Sequence, residues 1–201
     1  MQAAPSEGNK PWQDITVVDD LLPLEEQRSV HVFLSAGGWS HGWRSHEGST
    51  GHTFWHKHFA GSHDAARADA SPAVEAELAH NAPPIHALWQ RLKQAGLAGH
   101  VLERCYANGL PYGCDGATHT DSLEWGACTV IYYPHAHWDP DWGGETVLFN
   151  QDKSDILTAI YPRPNRLLIF PGFVFHAARG VSRICPSMRI TLMFKTRLVV
   201  P

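Results

Sequence analysis

The sequence predicts a mainly β domain: a barrel- or sandwich-like core with helices packed along one side. Three observations carry this. Before residue 98 the clearest periodic segments have helical spacing. After it, short apolar runs recur between Gly, Pro, Asn and Asp. At 201 residues the chain suits one domain with a substantial core. We read residues 1–97 as helical support and lid and residues 98–201 as the β core, together one domain.

The elements follow in order. Asp14 to Val18 reads as a short first strand. A helix spans Leu24 to Ser35, with apolar Leu24, Val30, Phe33 and Leu34 and a stop at Gly37-Gly38. Ser71-Pro72 opens a second helix, Ser at the cap and Pro at the first helical position, running to about His80. Pro83-Pro84 breaks it, and a third helix covers roughly Ile85 to Gln94, ending before Gly96. Between the first two lies GGWSHGWRSHEGSTGHTFWHKHFAGSH, which has neither a helical pattern nor that of a long strand. Its Trp and His side chains suit a lid or an entrance. Beyond residue 98 the strand candidates are HVLERCYA, ACTVIYY, GETVLFN, ILTAIYP, RLLIFP and MRITLMFKTRLVV.

Composition excludes some partners. An apolar share of 43% with 18% charge describes an ordinary globular protein. Net charge −4 without a basic run disfavours nucleic acid, which is bound by neutralising phosphates. No apolar run reaches membrane-spanning length and the opening MQAAPSEGNK lacks a signal-peptide pattern, so we expect a cytoplasmic protein with no membrane partner. The four cysteines form no C-x-x-C pair and read as reduced thiols.

His-x-Asp occurs twice, as His119-Thr-Asp121 and His137-Trp-Asp139. With 14 His in the chain, chance alone supplies about one such pair. The second pair sits in PHAHWDPDWGG, an irregular loop that positions ligands poorly, whereas the first directly precedes the apolar run from Ala127 to Tyr133. His176 follows RLLIFPG, so it can emerge at the mouth of a barrel. Two imidazoles and one carboxylate on one side of a metal leave positions open, the arrangement of non-haem Fe(II) oxygenases. A structural zinc site would close with a fourth protein ligand. We therefore take His119, Asp121 and His176 as the metal site.

From about residue 100 to 198 the chain resembles the 2-oxoglutarate- and Fe(II)-dependent dioxygenases, especially their prolyl 4-hydroxylase-like branch. The resemblance rests on Tyr106-Ala-Asn-Gly109, His119-Thr-Asp121, CTVIYY, Gly143-Gly-Glu-Thr146, PRPNRLLIFPG, His176 and Arg189-Ile-Thr191, in that order. It implies a double-stranded β-helix, the jelly-roll of cupins, and Fe(II), 2-oxoglutarate and O2. It also implies hydroxylation of an unactivated C–H bond with release of succinate and CO2. Arg189 is the expected anchor for the distal carboxylate of 2-oxoglutarate, with Tyr133 supporting it and Thr191 and Tyr106 as further pocket residues. Alternation in RITLMF places Arg189 and Thr191 on one face and Ile190, Leu192 and Phe194 on the other. A buried Arg needs an anionic partner. The interval from His176 to Arg189 is longer than the family's, because of GVSRICPS, and so Arg183 competes for the anchoring role; Arg189 could instead be a solvated edge-strand arginine.

Asp121 favours hydroxylation, since related halogenases carry Gly or Ala there, and the nucleic-acid demethylase branch lacks a match in RITLMFKTR. A small-molecule or amino-acid-like substrate is expected. Prolyl or other residue hydroxylation of a protein is the alternative, and a cupin-like metalloprotein that does not use 2-oxoglutarate is another. The pair Asp139 and Asp141 suggests contact with an amine-bearing substrate.

Overall fold

The computed structural model describes residues 14–46, 48–49, 51–63 and 72–199. Among the described residues ten strands and three α-helices follow in order: β1 (Thr16–Val18), α1 (Leu24–Ser35), β2 (Ser40–Trp43), β3 (Phe54–Gly61), α2 (Pro72–Asn81), α3 (Pro83–Ala95), β4 (His100–Leu110), β5 (Ala127–Tyr133), β6 (Thr146–Phe149), β7 (Ile156–Ile160), β8 (Arg166–Pro171), β9 (His176–Ala178) and β10 (Arg189–Leu198). They form an antiparallel seven-stranded sheet, ordered β1-β8-β5-β10-β4-β3-β2, and a three-stranded sheet, β7-β6-β9.

The helices cover the outer face of the large sheet. Val30 and Leu34 of α1, Val74 and Leu78 of α2, and Ile85, Leu88, Trp89 and Leu92 of α3 pack on Leu102, Val130, Ile190, Leu192 and Phe194. Odd positions of β10 point the other way. Met193 joins Tyr106, Ile131, Tyr133, Leu148, Leu168 and Phe170 in a second, inner cluster between the sheets. One strand thus presents an apolar face to the helices and a mixed face to the interior, which is what period-2 alternation requires.

Helix α1 has the bounds that its periodicity predicts. Pro83 and Pro84 stand at the start of α3, so they begin that helix as well as end the previous one. The Ser71 cap lies outside the described residues. The larger correction concerns the division at residue 97. The His/Trp-rich segment contains β2 and the eight-residue β3, and with β1 they make three of the seven strands of the large sheet. The helical half of the chain therefore also supplies both edges of the large sheet. Among the described residues no helix is long and apolar enough to cross a membrane, and all four cysteines are free.

Candidate active site

One cavity of about 880 Å³ opens between the sheets. It is lined from β4 by Arg104, Tyr106 and Asn108, from β10 by Arg189, Thr191, Met193 and Lys195, and from β6 by Thr146. His119, Asp121 and His176 stand in the same wall.

The two histidines meet through the backbone. His119 N–H donates to His176 O at 3.0 Å and His176 N–H returns a bond to His119 O at 2.9 Å. Asp121 N–H donates to Gly172 O at 2.9 Å, which clips the His-x-Asp loop to the turn after β8. These side chains therefore sit on a connection pinned to β9, and not on a strand of their own. Each imidazole has its Nδ1 bonded to a nearby carbonyl, His119 to Ala117 O at 2.9 Å and His176 to Val174 O at 3.0 Å. Nδ1 donates in both, which leaves the Nε2 lone pairs free for a ligand. The Asp121 oxygens lie 3.4 Å from His119 Nε2 and 3.3 Å from His176 Nε2. One potential ligand atom from each residue lies within 4.8 Å of the others, so the three converge on one position.

Charge at this cluster is arranged for a cation. Burial pushes His176 down to about 4, so its ring is neutral near pH 7. Burial works against the charge of Asp121, but Lys195, His176 and His119 outweigh it and hold the carboxyl well below the usual range. Asp121 Oδ2 accepts from Thr129 Oγ1 at 2.5 Å and from the Lys195 ammonium.

At the floor lies Arg189, 1% exposed. Its Nε donates to Gly144 O and its Nη2 to Thr146 Oγ1 at 2.8 Å, while the buried Nη1 has no partner. Tyr133 OH also donates to Thr146 Oγ1, at 2.7 Å. With two bonds accepted, the Thr146 hydroxyl hydrogen is left to donate into the cavity. An orphaned guanidinium N–H and an unspent hydroxyl beside it form a cradle for a carboxylate.

The structure brings together His119, Asp121, His176, Arg189, Thr191 and Tyr106 in the cavity wall. Tyr133 stands behind Thr146, fully buried, and reaches the cavity only through that hydroxyl. Arg183 is exposed on the loop before β10. That loop is tied to the 139–143 turn through Ser182 N–H to Trp142 O, at 2.8 Å. His137 is exposed, and Asp139 caps the short turn from Pro140 to Trp142 by accepting from Asp141 N–H at 2.9 Å. Neither Asp139 nor Asp141 lines the cavity, which removes the ground for an amine-binding loop. The rim carries Arg44 and Arg104 instead. Thr146, Thr129 and Lys195 are site residues that the sequence reading did not single out; the Gly-Gly-Glu-Thr motif held the signal for Thr146.

The family described as the 2OG-Fe(II) oxygenase superfamily matches residues 106–195. No curated protein sequence matches the chain. Among solved structures, a Pseudomonas putida prolyl-4-hydroxylase is similar at 18% identity and TM-score 0.61, over 94% of each chain. A Trichoplax adhaerens prolyl hydroxylase in complex with a hypoxia inducible factor peptide fragment is similar at 17% identity and TM-score 0.60, over 92% of this chain and 84% of that one. The viral collagen prolyl hydroxylase of Paramecium Bursaria Chlorella virus-1 is similar at 14% identity and TM-score 0.54, over 96% of this chain and all of the other. The fold is thus the double-stranded β-helix shared with these enzymes.

Proposed function

We propose that this chain, a 2-oxoglutarate-dependent non-haem iron dioxygenase whose residues 106–195 carry the superfamily's domain, hydroxylates an unactivated C–H bond of a small molecule bearing an anionic group. The superfamily uses Fe(II), 2-oxoglutarate and O2. The observation that carries the reading is the buried Arg189, with Nη1 unpartnered, in the same cavity as two imidazoles and a carboxylate. A cupin-like metalloprotein that does not use a diacid has no use for that guanidinium.

The donor set suits a ferrous ion. His119 and His176 would give Nε2, and Asp121 would give Oδ1, since Oδ2 is taken by Thr129 and Lys195. Iron, 2-oxoglutarate and O2 together supply the oxidising power, with succinate and CO2 released. The remaining work is the protein's. Arg189 and Thr146 would take the distal carboxylate, Arg189 with a charge-assisted fork, and Thr191 lies two residues along the same face. Tyr133 holds the Thr146 hydroxyl in place. Ile131 and Met193 form apolar wall that keeps water from the reacting carbon. No side chain is required as a general base.

Arg44 and Arg104 at the rim favour a substrate carrying a carboxylate or phosphate. The cavity volume lies within the usual small-ligand range of about 300–1,000 Å³. The second reading, a protein residue hydroxylase, draws support from the peptide bound to the Trichoplax relative.

The test is 2-oxoglutarate binding to the anaerobic Fe(II) protein, followed by its visible charge-transfer band. Arg189→Ala is expected to weaken binding about a hundredfold or more, as loss of a buried charge partner costs roughly 3 kcal/mol or above. His119→Ala should abolish the band. Unchanged 2-oxoglutarate affinity in Arg189→Ala would overturn the reading. A succinate-release screen of anionic metabolites beside proline-containing peptides decides between the substrate classes.

A further inference from the structure

A second group of imidazoles stands at the edge of the large sheet, apart from the residues assigned above. His56 and His58 alternate along β3, facing the same side as their β4 partners Asn108 and Tyr106. His63 follows just beyond the strand and lines the cavity rim. One ring nitrogen from each lies within 4.8 Å of the others.

The two strand histidines are prepared as ligands. His56 is 5% exposed, and its face stacks on Trp43 with ring centroids 3.9 Å apart. Its Nδ1 is bonded to Asn108 Oδ1 at 3.3 Å, while Nε2 is buried without a partner. In His58 the roles are reversed: Nε2 donates to Gly61 O at 2.8 Å, and Nδ1 is buried without a partner. In each ring the bonded nitrogen carries the proton, so the orphaned one holds a lone pair. That pattern, one nitrogen fixed by a hydrogen bond and the other bare, is how proteins orient metal-binding imidazoles. An orphaned buried acceptor is costly unless something occupies it.

We propose that His56, His58 and His63 form a second metal site, for a borderline divalent cation such as Zn²⁺, at the rim of the cavity. Three imidazoles with a water as the fourth ligand satisfy the tetrahedral preference of zinc. Ligand nitrogens about 3.4 Å apart are needed for Zn–N bonds of about 2.0–2.1 Å, so the cluster must contract. The stacked ring of His63, 3.8 Å from that of His58, is exposed and turns to do so at little cost. Arg104 opposes a cation here; Glu77, whose carboxylate accepts from Gly61 N–H at 2.9 Å, favours one. The Tyr106 ring, 5.1 Å from that of His56, stands between this site and the Lys195 side of the cavity.

The experiment is metal counting on the full chain, stripped by chelator and titrated with Zn²⁺ against a chromophoric chelator near neutral pH. The wild type is expected to bind two equivalents. His63→Ala, at an exposed position that leaves the fold intact, and His58→Ala should each bind one, with an unchanged far-UV circular dichroism spectrum. His119→Ala should also bind one, so failure at the first site is distinguishable from failure at the second. Co²⁺ in His119→Ala should give the intense visible bands of a tetrahedral site, and these should vanish on adding His63→Ala. A wild type whose single equivalent is lost in His119→Ala, or a second equivalent that survives both His58→Ala and His63→Ala, overturns the proposal.

Discussion

At Asp121 one carboxylate faces an ammonium, a hydroxyl and two imidazoles. Lys195 and Thr129 hold Oδ2, while the imidazoles face the group at 3.3–3.4 Å. The Lys195 and Asp121 side chains are only 9% and 10% exposed, so without a metal the ammonium is the carboxylate's principal counter-charge. Removing one partner of a buried pair costs about 3–5 kcal/mol. Lys195→Met is therefore expected to destabilise the metal-free protein by about that much. A divalent ion at the three-ligand site would replace the missing positive charge, and with Lys195 gone it meets less repulsion. Saturating Mn²⁺ should then raise the urea midpoint further in Lys195→Met than in the wild type. Equal stabilisation of both would show that Lys195 is no counter-ion competing with a metal at Asp121. The same residue illustrates why a sequence hides such partners: Lys195 and Asp121 are 74 positions apart, and a lysine within an apolar strand carries no mark of its cross-sheet neighbour.

The turn into β6 is where an element, and not a single side chain, sets the site. Gly143 and Gly144 both have positive φ, +66° and +83°, which only glycine adopts without strain. They differ in their surroundings. A Cβ on Gly144 would meet Arg189 Cδ at 3.0 Å and Val181 at 3.2 Å, whereas on Gly143 the nearest atom is 3.6 Å away. Gly143→Ala should cost backbone strain alone, about 1–2 kcal/mol. Gly144→Ala should add a displaced Arg189, seen as roughly tenfold weaker 2-oxoglutarate binding with Fe(II) affinity retained. Equal 2-oxoglutarate affinity in the two variants would separate the turn from the carboxylate cradle. Much of this architecture was legible beforehand: α1, β5, β8 and the two faces of β10 follow from apolar spacing, and both residues of the Gly pair were part of a recognisable motif. Strand β3 was not legible. Its His56 and His58 line an interior surface where apolar residues would normally alternate, so polar cavity residues erased the signal that marks a strand. At three residues, β9 is too short to show a period, although His176 at its start was identified from the turn before it. The position of Tyr133 was legible only in part, because Thr146 lies between it and the cavity.

Across the whole molecule a recurring electrostatic cost is the enclosure of imidazoles as neutral rings. Burial pushes His56, His100 and His176 down to about 4 and His135 down to about 3. All four are 4–5% exposed, so solvent screens little of this. An unfolded chain binds protons at these rings below its ordinary value near 6.5, whereas the folded chain binds none until the pH approaches 4. Between those limits the unfolded state holds more protons, and stability falls as the pH falls. Each ring contributes a slope of about 1.4 kcal/mol per pH unit once the pH is well below 6.5. Four together would exhaust a typical stability of about 5–15 kcal/mol within the window. The Asp121 contribution has the same sense but a lower window, below its ordinary value near 3.8. For the metal-free protein we expect a urea midpoint that is nearly level from pH 8 to 7 and falls steeply from pH 6 to 4.5. His135→Gln tests the cause, because Ile190 N–H donates to its Nε2 at 2.9 Å and the longer amide's oxygen can stand in at that position as acceptor. That variant should lose stability at neutral pH yet show a shallower acid slope, by about a quarter. An acid slope as steep as the wild type's would place the proton uptake elsewhere in the chain.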